Sequence, residues 1–403
     1  MPKSKDIESV ESAVLDVYQA VNPSTYHIDR SGEDFRFREE MRIRLFRDNL
    51  NFPIQMFRDA KFLDFGTGTG DHSVFFSRWG ARSTLVEMNP KALERARALY
   101  EKFAPDGAEY RFIESSLFDV ELDEQFDIVL SEGVLHHTAD KAAGFDKLVS
   151  YLKDGGYAVL GIATTAGQFQ RNLQRMILYR FCDSADDIEN LAERLFKEHI
   201  DRAAKFGRRD RKAVIYDTYV NPKYDTPTVR EILQWFDKNN IRFYSSWPRI
   251  IPIELADSGG NASYEDIRTV DALSAIPELY WLSHNTDDRA FLASYAAQAD
   301  TLNQTLDPFT KSMADVTPGQ DFDLPLARHN CKALVDHIVQ NGLQVSAGHP
   351  IVDLLREIAG LIQMTETGDV DALSRYIQQC KSLFRGPAGM GLSYFIGYKP
   401  EQH

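Results

Sequence analysis

Residues 62–73, FLDFGTGTGDHS, form the stretch that decides the fold of this 403-residue chain. The run Phe62 to Phe65 has the composition of a short buried strand, and three glycines follow it at alternate positions, Gly66, Gly68 and Gly70. Because glycine lacks a Cβ, such a turn bends sharply and lets its backbone approach a ligand. The sequence therefore predicts a ligand-binding turn, and the alternative is a strand-to-helix corner that binds nothing.

A helix is expected from Asp71, directly after the turn. Its free N–H groups would attract a carboxylate or a phosphate. Asp71 stands where a dinucleotide-binding GxGxxG turn would have its last glycine, so the pattern here is GxGxG. This spacing favours a ligand other than a dinucleotide.

The fold class follows from the alternation of short apolar runs with helical stretches over residues 61–165. The runs are KFLDFG, STLVEM, EYRFIE, FDIVLSEG and GYAVLGIAT; helices are expected from Asp71, from Pro90 and over about Lys141 to Leu152, with a turn at KDGG. This pattern predicts right-handed βαβ units, that is, an α/β fold with a doubly wound parallel sheet.

The chain divides into six segments by periodicity and turn composition. We expect an N-terminal helical cover over residues 1–60, the core over 61–165, a helical lid insertion over 166–226, a helix and strand that return to the sheet over 227–251, a helical C-terminal region over 252–385, and a terminal strand over 386–403 that rejoins the sheet.

The composition restricts the partners of the protein. A net charge of −14 makes nucleic acid an unfavourable partner, because phosphate binding needs clustered Lys and Arg. The three cysteines lie far apart with no CxxC pair, so neither a disulfide framework nor a metal site is predicted. The N-terminus carries acids, and no apolar run reaches the roughly 18 residues of a membrane span, so we expect a cytoplasmic protein.

An acidic residue marks the end of the second strand. Glu87 lies seventeen residues past Gly70. At this position a carboxylate can accept hydrogen bonds from both hydroxyls of a ribose. A solvated carboxylate is the alternative, but the offset from the glycine turn favours the ribose.

Four motifs, LDFGTGTG, LVEMN, RFIESSLFD and FDIVLSEGVLHH, resemble those of class I S-adenosylmethionine-dependent methyltransferases, and they span about residues 61–165. The chain is similar to the small-molecule enzymes of this family, such as the ubiquinone and menaquinone biosynthesis group. The resemblance implies a mostly parallel, seven-stranded Rossmann-like sheet and S-adenosylmethionine as the cofactor. It implies as cofactor-binding residues Asp64, Gly66, Gly68, Gly70 and Glu87.

Three further positions are expected near the cofactor. Ser116 stands after the third strand, where many relatives carry an Asp that accepts from the adenine amino group, and Leu117 lies beside it. Ser116 could accept a weaker hydrogen bond, or Asp119 could serve instead. Ser131 opens the turn after the fourth strand, which faces the same crevice, and the carbonyls of this turn are candidates for the cofactor's ammonium.

The candidate catalytic residues are His136, His137 and Tyr219. A histidine near the sulfonium could act as a general base, although in many relatives with a VLHH stretch it chiefly shapes the pocket. As neighbours in the chain, the two histidines are not expected to point into the crevice together.

For the acceptor side, the sequence predicts an aromatic cover formed by two stretches. One contains Tyr18, Tyr26 and His27; the other, YDTYVNPKYDTPT, contains Tyr216, Asp217, Tyr219 and Tyr224. Aromatic rings form apolar walls, and their hydroxyls can orient an acceptor. Tyr26, Asp217 and Tyr224 are the expected substrate contacts.

These features lead to one main hypothesis and two alternatives. The main hypothesis is a methyltransferase that acts on a small or carrier-linked metabolite. The first alternative is RNA modification, for which the basic stretch Arg194 to Lys212, with eight Lys or Arg against three acids, would dock phosphates rather than form a solvated helix face. The second is a protein that binds the cofactor and transfers nothing.

Overall fold

The computed structural model of the chain describes residues 5–21, 25–250, 274–282, 299–340, 349–385 and 391–401. Seven strands in these residues form one sheet, with the bounds β1 Lys61–Phe65, β2 Arg82–Glu87, β3 Tyr110–Glu114, β4 Phe126–Glu132, β5 Leu152–Ile162, β6 Arg242–Trp247 and β7 Ser393–Tyr398. Their order is β3-β2-β1-β4-β5-β7-β6. The pairs are parallel except for the two that β7 makes with β5 and β6. The predicted mostly parallel, seven-stranded α/β sheet is confirmed.

The central strand β1 is buried because strands flank it on both sides and helices cover the sheet. It pairs in parallel with β2 and with β4, and the four residues from Phe62 to Phe65 are all buried. A continuous buried run of this kind is typical of parallel strands covered on both faces. The sheet therefore places the carboxyl ends of β1, β2 and β4 at one edge, where the glycine turn begins.

Helices of the N-terminal segment and of the sheet connections come first in the chain. They are α1 Lys5–Val21, α2 Gly32–Ile43, α3 Val74–Arg78, α4 Pro90–Phe103 and α5 Lys141–Ser150. A π-helical turn, Arg44–Asn49, extends α2, and its Phe46 packs its ring against Phe57 and Phe76 with centroids 5.4 Å away in each case. These aromatic contacts attach the N-terminal cover to the core.

A second set of helices follows β5. They are α6 Thr165–Phe181, α7 Ala185–Gly207, α8 Arg211–Ile215, α9 Val229–Lys238, α10 Ala275–Trp281, α11 Ala299–Lys311, α12 Leu324–Gln340, α13 Pro350–Glu366 and α14 Val370–Gln379. Thr228 and Glu231 form a capping box at the start of α9. No helix in the described part of the chain is long and apolar enough to cross a membrane. The six-segment division stays a prediction, and parts of residues 1–60, 252–385 and 386–403 lie outside the described residues.

One local expectation was wrong and a second takes an unexpected form. The helix expected from Asp71 begins at Val74 and has five residues, because residues 71–73 still belong to the turn. The turn expected at KDGG is an irregularity within β5, since Leu152 pairs with Phe126 and Tyr157 with Ile128, and Gly155 has a φ of 78°. There, Gly155 N donates to Lys399 O at 2.8 Å and Lys399 N donates to Gly156 O at 3.0 Å, so the C-terminal segment draws this stretch into the sheet.

A fully buried arginine joins α6 to its surroundings. The guanidinium of Arg175 has no solvent exposure and donates to three backbone carbonyls, those of Thr218 at 2.9 Å, Asn221 at 2.8 Å and Val316 at 2.9 Å. Among the described residues, none of its partners is a carboxylate. Arg175 therefore fixes the segment around residues 216–221 against α6 by hydrogen bonds alone.

We predict that Arg175→Met lowers the free energy of unfolding by about 2–4 kcal/mol, because it leaves buried carbonyls without their donor. Urea unfolding measures the effect. Arg180→Met is the matched control, since Arg180 lies exposed near the end of the same helix and its loss should change stability by less than about 0.5 kcal/mol. Equal stability of the two variants would contradict the structural role of Arg175.

Candidate functional site

One large cavity opens at the carboxyl ends of the central strands. Its volume is about 730 Å³, and its walls come from the glycine turn, the ends of β2 and β4, the N-terminal helices, α6 and the end of α7. Cavities of roughly 300–1,000 Å³ are the usual size of small-molecule sites. The walls contain most of the site residues that the sequence predicted.

The glycine turn is held in a conformation that requires glycine. Gly66 has a φ of 78° and Gly68 a φ of 56°, and both line the cavity. A Cβ at Gly66 would lie 2.3 Å from Cγ2 of Val134, so the turn packs directly against the segment after β4. Gly70 contributes differently, because it does not line the cavity and a Cβ there would meet the backbone of Ala96 in α4 at 3.1 Å. Its function is close packing rather than ligand contact.

Asp71 connects the turn to the N-terminal cover. Its carboxylate accepts from the backbone N–H of Ile28 at 3.1 Å and from the hydroxyl of Thr69 at 2.6 Å. The residue that replaces the third glycine of a dinucleotide-binding turn thus fixes the loop that carries Tyr26.

Glu87 reaches from the end of β2 back to the turn. Its Oε2 accepts from Gly68 N at 2.8 Å, and its Oε1 accepts from Asn89 N at 2.8 Å. Burial raises the pKa of Glu87, while these backbone hydrogen bonds lower it. An ionised carboxylate accepts about four hydrogen bonds, so each oxygen retains capacity for a ligand hydroxyl.

A buried acidic pair lies beside the turn. Asp64, the last residue but one of β1, lies in the cavity wall, and Glu132 ends the neighbouring β4. Burial and the charge of Glu132 raise the pKa of Asp64 to about 7.

Glu132 is a candidate site residue whose side chain the sequence analysis did not consider, since only the carbonyls of its turn were named. Its Oε1 accepts from Arg42 Nη1 at 2.8 Å and from Tyr394 OH at 2.5 Å, and it lies 3.2 Å from His72 Nδ1. Burial alone would raise the pKa of Glu132, but Arg42 and His72 hold it well below its usual range. Its Oε2 is buried without a hydrogen-bond partner in the structure. Successive side chains of β4 point to opposite faces of the sheet, so the sequence could have shown that Glu132 and Ser131 point in different directions. No sequence signal indicates that Arg42 or Tyr394 would contact Glu132.

The three further residues expected near the cofactor, Ser116, Leu117 and Ser131, do not all lie in the main cavity. Leu117 lines the cavity. Ser116 lines a second, adjacent cavity with Asp119, and its hydroxyl donates to Glu11 of α1. Ser131 is not among the residues that line the main cavity, and its hydroxyl is buried with no hydrogen-bond partner among the described residues. A role of Ser131 in cofactor binding stays a prediction.

Both histidines line the cavity, contrary to the expectation that only one would. They lie on the short 3₁₀ helix Leu135–His137, and their ring centroids are 4.1 Å apart. His137 Nδ1 lies 2.8 Å from the carbonyl of Lys223, which can only accept, so Nδ1 carries the proton. His136 Nδ1 faces the backbone N–H of Ala163 at 3.5 Å, which assigns the proton of the neutral ring to Nε2.

The predicted substrate residues Tyr26, Asp217 and Tyr224 all line the cavity. Tyr26 stacks on His72 with centroids 4.5 Å apart, and Arg38 lies 4.2 Å from the Tyr26 centroid. Asp217 pairs with Arg209 at 3.0 Å.

Tyr18, expected in the same cover, also lines the cavity and donates to Asp217 at 3.5 Å. Its centroid lies 6.2 Å from that of His137. His27 does not line this cavity and instead contacts Asp210 at 3.1 Å.

The assignment of Tyr219 as a catalytic residue was wrong. Tyr219 is buried away from the cavity, and its hydroxyl donates to Gln174 at 2.9 Å. Burial raises the pKa of its phenol further above the usual range. The π-helical segment Tyr216–Val220 turns this side chain toward α6 and the protein interior.

The basic stretch Arg194 to Lys212 is largely neutralised by carboxylates. The ion pairs are Arg194 with Asp371, Lys197 with Asp201, Arg202 with Glu198, Arg208 with Glu33 and Asp34, Arg209 with Asp217, Arg211 with Glu193 and Asp201, and Lys212 with Glu189. A surface with this pairing does not present the unbalanced positive charge that nucleic acid requires.

Comparisons with known proteins give one family match and several similar solved structures. Residues 63–160 match a family described as a methyltransferase domain. Similar solved structures include a putative methyltransferase from Thermoplasma acidophilum, 23% identical, with coverage of 26% of this chain and 44% of that protein and a TM-score of 0.23. The N-methyltransferase NodS from Bradyrhizobium japonicum, in complex with S-adenosylhomocysteine, is 19% identical, with coverage of 40% and 76% and a TM-score of 0.29.

A third similar structure is the 1,6-didemethyltoxoflavin-N1-methyltransferase from Burkholderia thailandensis, which is 14% identical, with coverage of 61% of this chain and 84% of that protein and a TM-score of 0.36. The match to the Thermoplasma protein spans less than half of that protein's length. No curated protein matches this chain significantly.

The matched residues run from β1 to β5, within the α/β sheet. They form a methyltransferase domain of the matched family. Its cofactor is S-adenosylmethionine. Similarity to the ubiquinone and menaquinone group stays a prediction.

The residues around the turn fit this cofactor chemically. Glu87 offers free lone pairs to a ribose diol, and the acidic pair Asp64 and Glu132 suits a ligand with a sulfonium and an ammonium group. The buried Oε2 of Glu132, which has no partner in the structure, supports this fit.

We predict that Glu87→Gln weakens S-adenosylmethionine binding roughly 10- to 100-fold, because hydrogen bonds to a charged group contribute about 1.5–3 kcal/mol. Isothermal titration calorimetry measures the change. Glu114→Gln is the control, since Glu114 ends the neighbouring β3 as an exposed residue. Gly68→Asp, which places a side chain at a φ of 56°, should also abolish binding. Unchanged affinity in folded Glu87→Gln and Gly68→Asp variants would refute the site assignment.

We also predict that cofactor affinity rises with pH through about 7. The free protein holds Asp64 with a pKa of about 7, and a cationic ligand binds the ionised form better. Below this pKa the proton must leave before binding, so affinity at pH 6 should be roughly tenfold lower than at pH 8. Calorimetry on the parent and on Asp64→Asn checks this, because the variant should lose the Asp64 component of the pH dependence. Identical profiles for the two proteins would contradict it.

Proposed function

We propose that this protein transfers a methyl group from S-adenosylmethionine to a small or carrier-linked metabolite. The observation that carries the proposal is the continuity of the cavity. Four residues assigned to the cofactor, Asp64, Gly66, Gly68 and Glu87, share one cavity of about 730 Å³ with those assigned to the acceptor, Tyr26, Asp217 and Tyr224. Cofactor and acceptor would therefore meet without leaving the protein.

When bound, S-adenosylmethionine supplies an electrophilic methyl group on a sulfonium. The protein's task is then to align the acceptor and to exclude water. The N-terminal helices α1 and α2 and the end of α7 would provide the cover. No covalent intermediate is required, so the site needs a base only where the acceptor must lose a proton.

His137 is the candidate for that base. Its Nδ1 proton is committed to the Lys223 carbonyl at 2.8 Å, which leaves the Nε2 lone pair of the neutral ring available. Burial lowers the pKa of His137, although Asp217 and the hydrogen bond to Lys223 raise it, so the ring is neutral at pH 7. Burial, His137 and Arg175 hold the pKa of His136 well below its usual range, and we assign His136 to the cavity wall.

Tyr224 and Asp217 are the candidates that orient the acceptor. The Tyr224 ring packs against both histidines, with its centroid 5.2 Å from that of His136 and 5.4 Å from that of His137. Asp217 lies in the cavity wall, where it forms an ion pair with Arg209. An RNA substrate is disfavoured by the neutralised basic stretch and by the net charge of −14.

Activity is tested by incubating the protein with S-adenosylmethionine and a complex metabolite mixture. Formation of S-adenosylhomocysteine together with a compound heavier by one methyl group supports the proposal. Cofactor binding without any turnover would favour the alternative of a non-catalytic binding protein.

We predict that His137→Ala lowers kcat by roughly 10²- to 10⁴-fold for an acceptor that must lose a proton. In the parent, kcat/KM should fall as pH drops below the lowered pKa of His137, because the protonated ring cannot accept a proton. His329→Ala, which changes an exposed histidine, is the control. A variant at position 137 with parental kcat and parental pH profile would show that His137 only shapes the cavity.

A further inference from the structure

The first helix contributes to the cavity wall and very little to the core. Of the 17 residues of α1, only Val14 is buried. The residues of α1 that line the cavity share one helical face, and they are Glu11, Val14, Leu15 and Tyr18. An element with so few buried contacts opens locally at a low cost in free energy. The packing of α1 is therefore sensitive to what fills the cavity.

The order of the strands gives a direction to a bound cofactor. The acids that suit its sulfonium and ammonium groups, Asp64 and Glu132, lie on β1 and β4, and Glu87, which suits its ribose, ends β2. In the sheet, β2 lies between β1 and β3. Because the adenine and the sulfonium chain are attached to opposite sides of the ribose, the adenine would lie beyond Glu87, toward the end of β3.

This end of the cavity combines apolar side chains with a carboxylate from α1. Met88 and Leu117 line it, and so does Glu11. Glu11 and Met88 also line the second cavity, which contains Ser116 and Asp119, so they lie at the boundary of the two cavities. An adenine ring packs its faces against apolar side chains, whereas its exocyclic amino group requires a hydrogen-bond acceptor.

Ser116 connects Glu11 to the segment that follows β3. Its hydroxyl donates to the Glu11 carboxylate, while its Oγ accepts from Phe118 N at 3.0 Å. The hydroxyl proton of Ser116 is thus directed at Glu11. A carboxylate accepts about four hydrogen bonds, so the bond from Ser116 is compatible with a further one from a ligand. The segment after β3 therefore holds an acid that comes from the N-terminal cover.

We propose that the Glu11 carboxylate accepts a hydrogen bond from the adenine amino group of S-adenosylmethionine. The helix α1 is then part of the cofactor site, and its cavity face packs against the bound adenosine. The inference rests on the proposed function, because it adds a residue to the cofactor end of the same cavity.

The test compares the binding of S-adenosylhomocysteine and S-inosylhomocysteine by isothermal titration calorimetry. The second ligand carries a carbonyl oxygen in place of the adenine amino group. A carboxylate accepts a hydrogen bond from the amino group and repels the carbonyl oxygen. We expect the parent protein to bind S-adenosylhomocysteine roughly 10- to 100-fold more tightly, as for a hydrogen bond to a charged group.

Four variants locate the effect. Glu11→Ala should bring the ratio of the two affinities close to one. Glu8→Ala is the matched control, because Glu8 is exposed on the same helix and lines only the second cavity, and it should keep the parental ratio. Ser116→Ala and Asp119→Ala test the two other candidate acceptors, and each should retain a preference for S-adenosylhomocysteine.

Hydrogen exchange gives a second, independent measurement on the parent protein. Saturation with S-adenosylhomocysteine should slow the exchange of the α1 amides, because the bound adenosine adds contacts to a helix with one buried residue. In Glu11→Ala, saturation with the same ligand should slow their exchange less.

The outcomes separate this inference from the proposed function. Failure of S-adenosylhomocysteine to bind the parent would overturn the proposed function. Its binding with a parental ratio near one would exclude a carboxylate at the adenine amino group. A preference that survives Glu11→Ala, or one that is lost only in Ser116→Ala or Asp119→Ala, would overturn the assignment to Glu11. Unchanged exchange of α1 in the saturated parent would show that the helix is not part of the cofactor site.

Discussion

The hydrogen bond from Gly68 N to the Glu87 carboxylate, 2.8 Å long, is the contact on which the rest of the site depends. It joins the turn after β1 to the end of β2, and the other oxygen of Glu87 accepts from Asn89 N at 2.8 Å. Asn89 in turn caps α4 by accepting from Lys91 N. One carboxylate thus orders the turn, the strand end and the next helix, and a turn without this support would have no fixed cavity beside it.

The electrostatics of the cavity are set by a buried acidic pair beside the turn. Burial and the charge of Glu132 raise the pKa of Asp64 to about 7. Two buried acids close together disfavour folding on their own, and departures from good local electrostatics are expected at functional sites. This environment suits a cationic ligand.

Side-chain direction explains where interpretation of the sequence succeeded and where it did not. The acidic residue at the end of β2 was predicted because its offset from the glycine turn is a local pattern. Tyr219 and Tyr224 were both expected at the site, yet Tyr219 points toward Gln174 and Tyr224 lines the cavity. Tyr219 lies in the π-helical segment Tyr216–Val220, whereas Tyr224 follows that segment. The composition of the segment does not reveal which of its faces is buried. The composition of β4 likewise does not reveal that the Ser131 side chain is buried inside the protein while that of the adjacent Glu132 lines the cavity.

The sequence by itself determined the βαβ alternation, the parallel sheet, the glycine turn and the acid that follows it. These features depend on local periodicity, on the absence of a Cβ and on short spacings. The tertiary structure alone decided that Arg42, Glu132 and Tyr394 meet, because their contact requires α2, β4 and β7 to converge at one sheet edge. It also decided that Arg175 is buried without a carboxylate partner in the described residues, since that depends on which carbonyls pack around α6. Local patterns specify the backbone and the face that is buried, whereas the charge inside a cavity results from contacts between residues far apart in the chain.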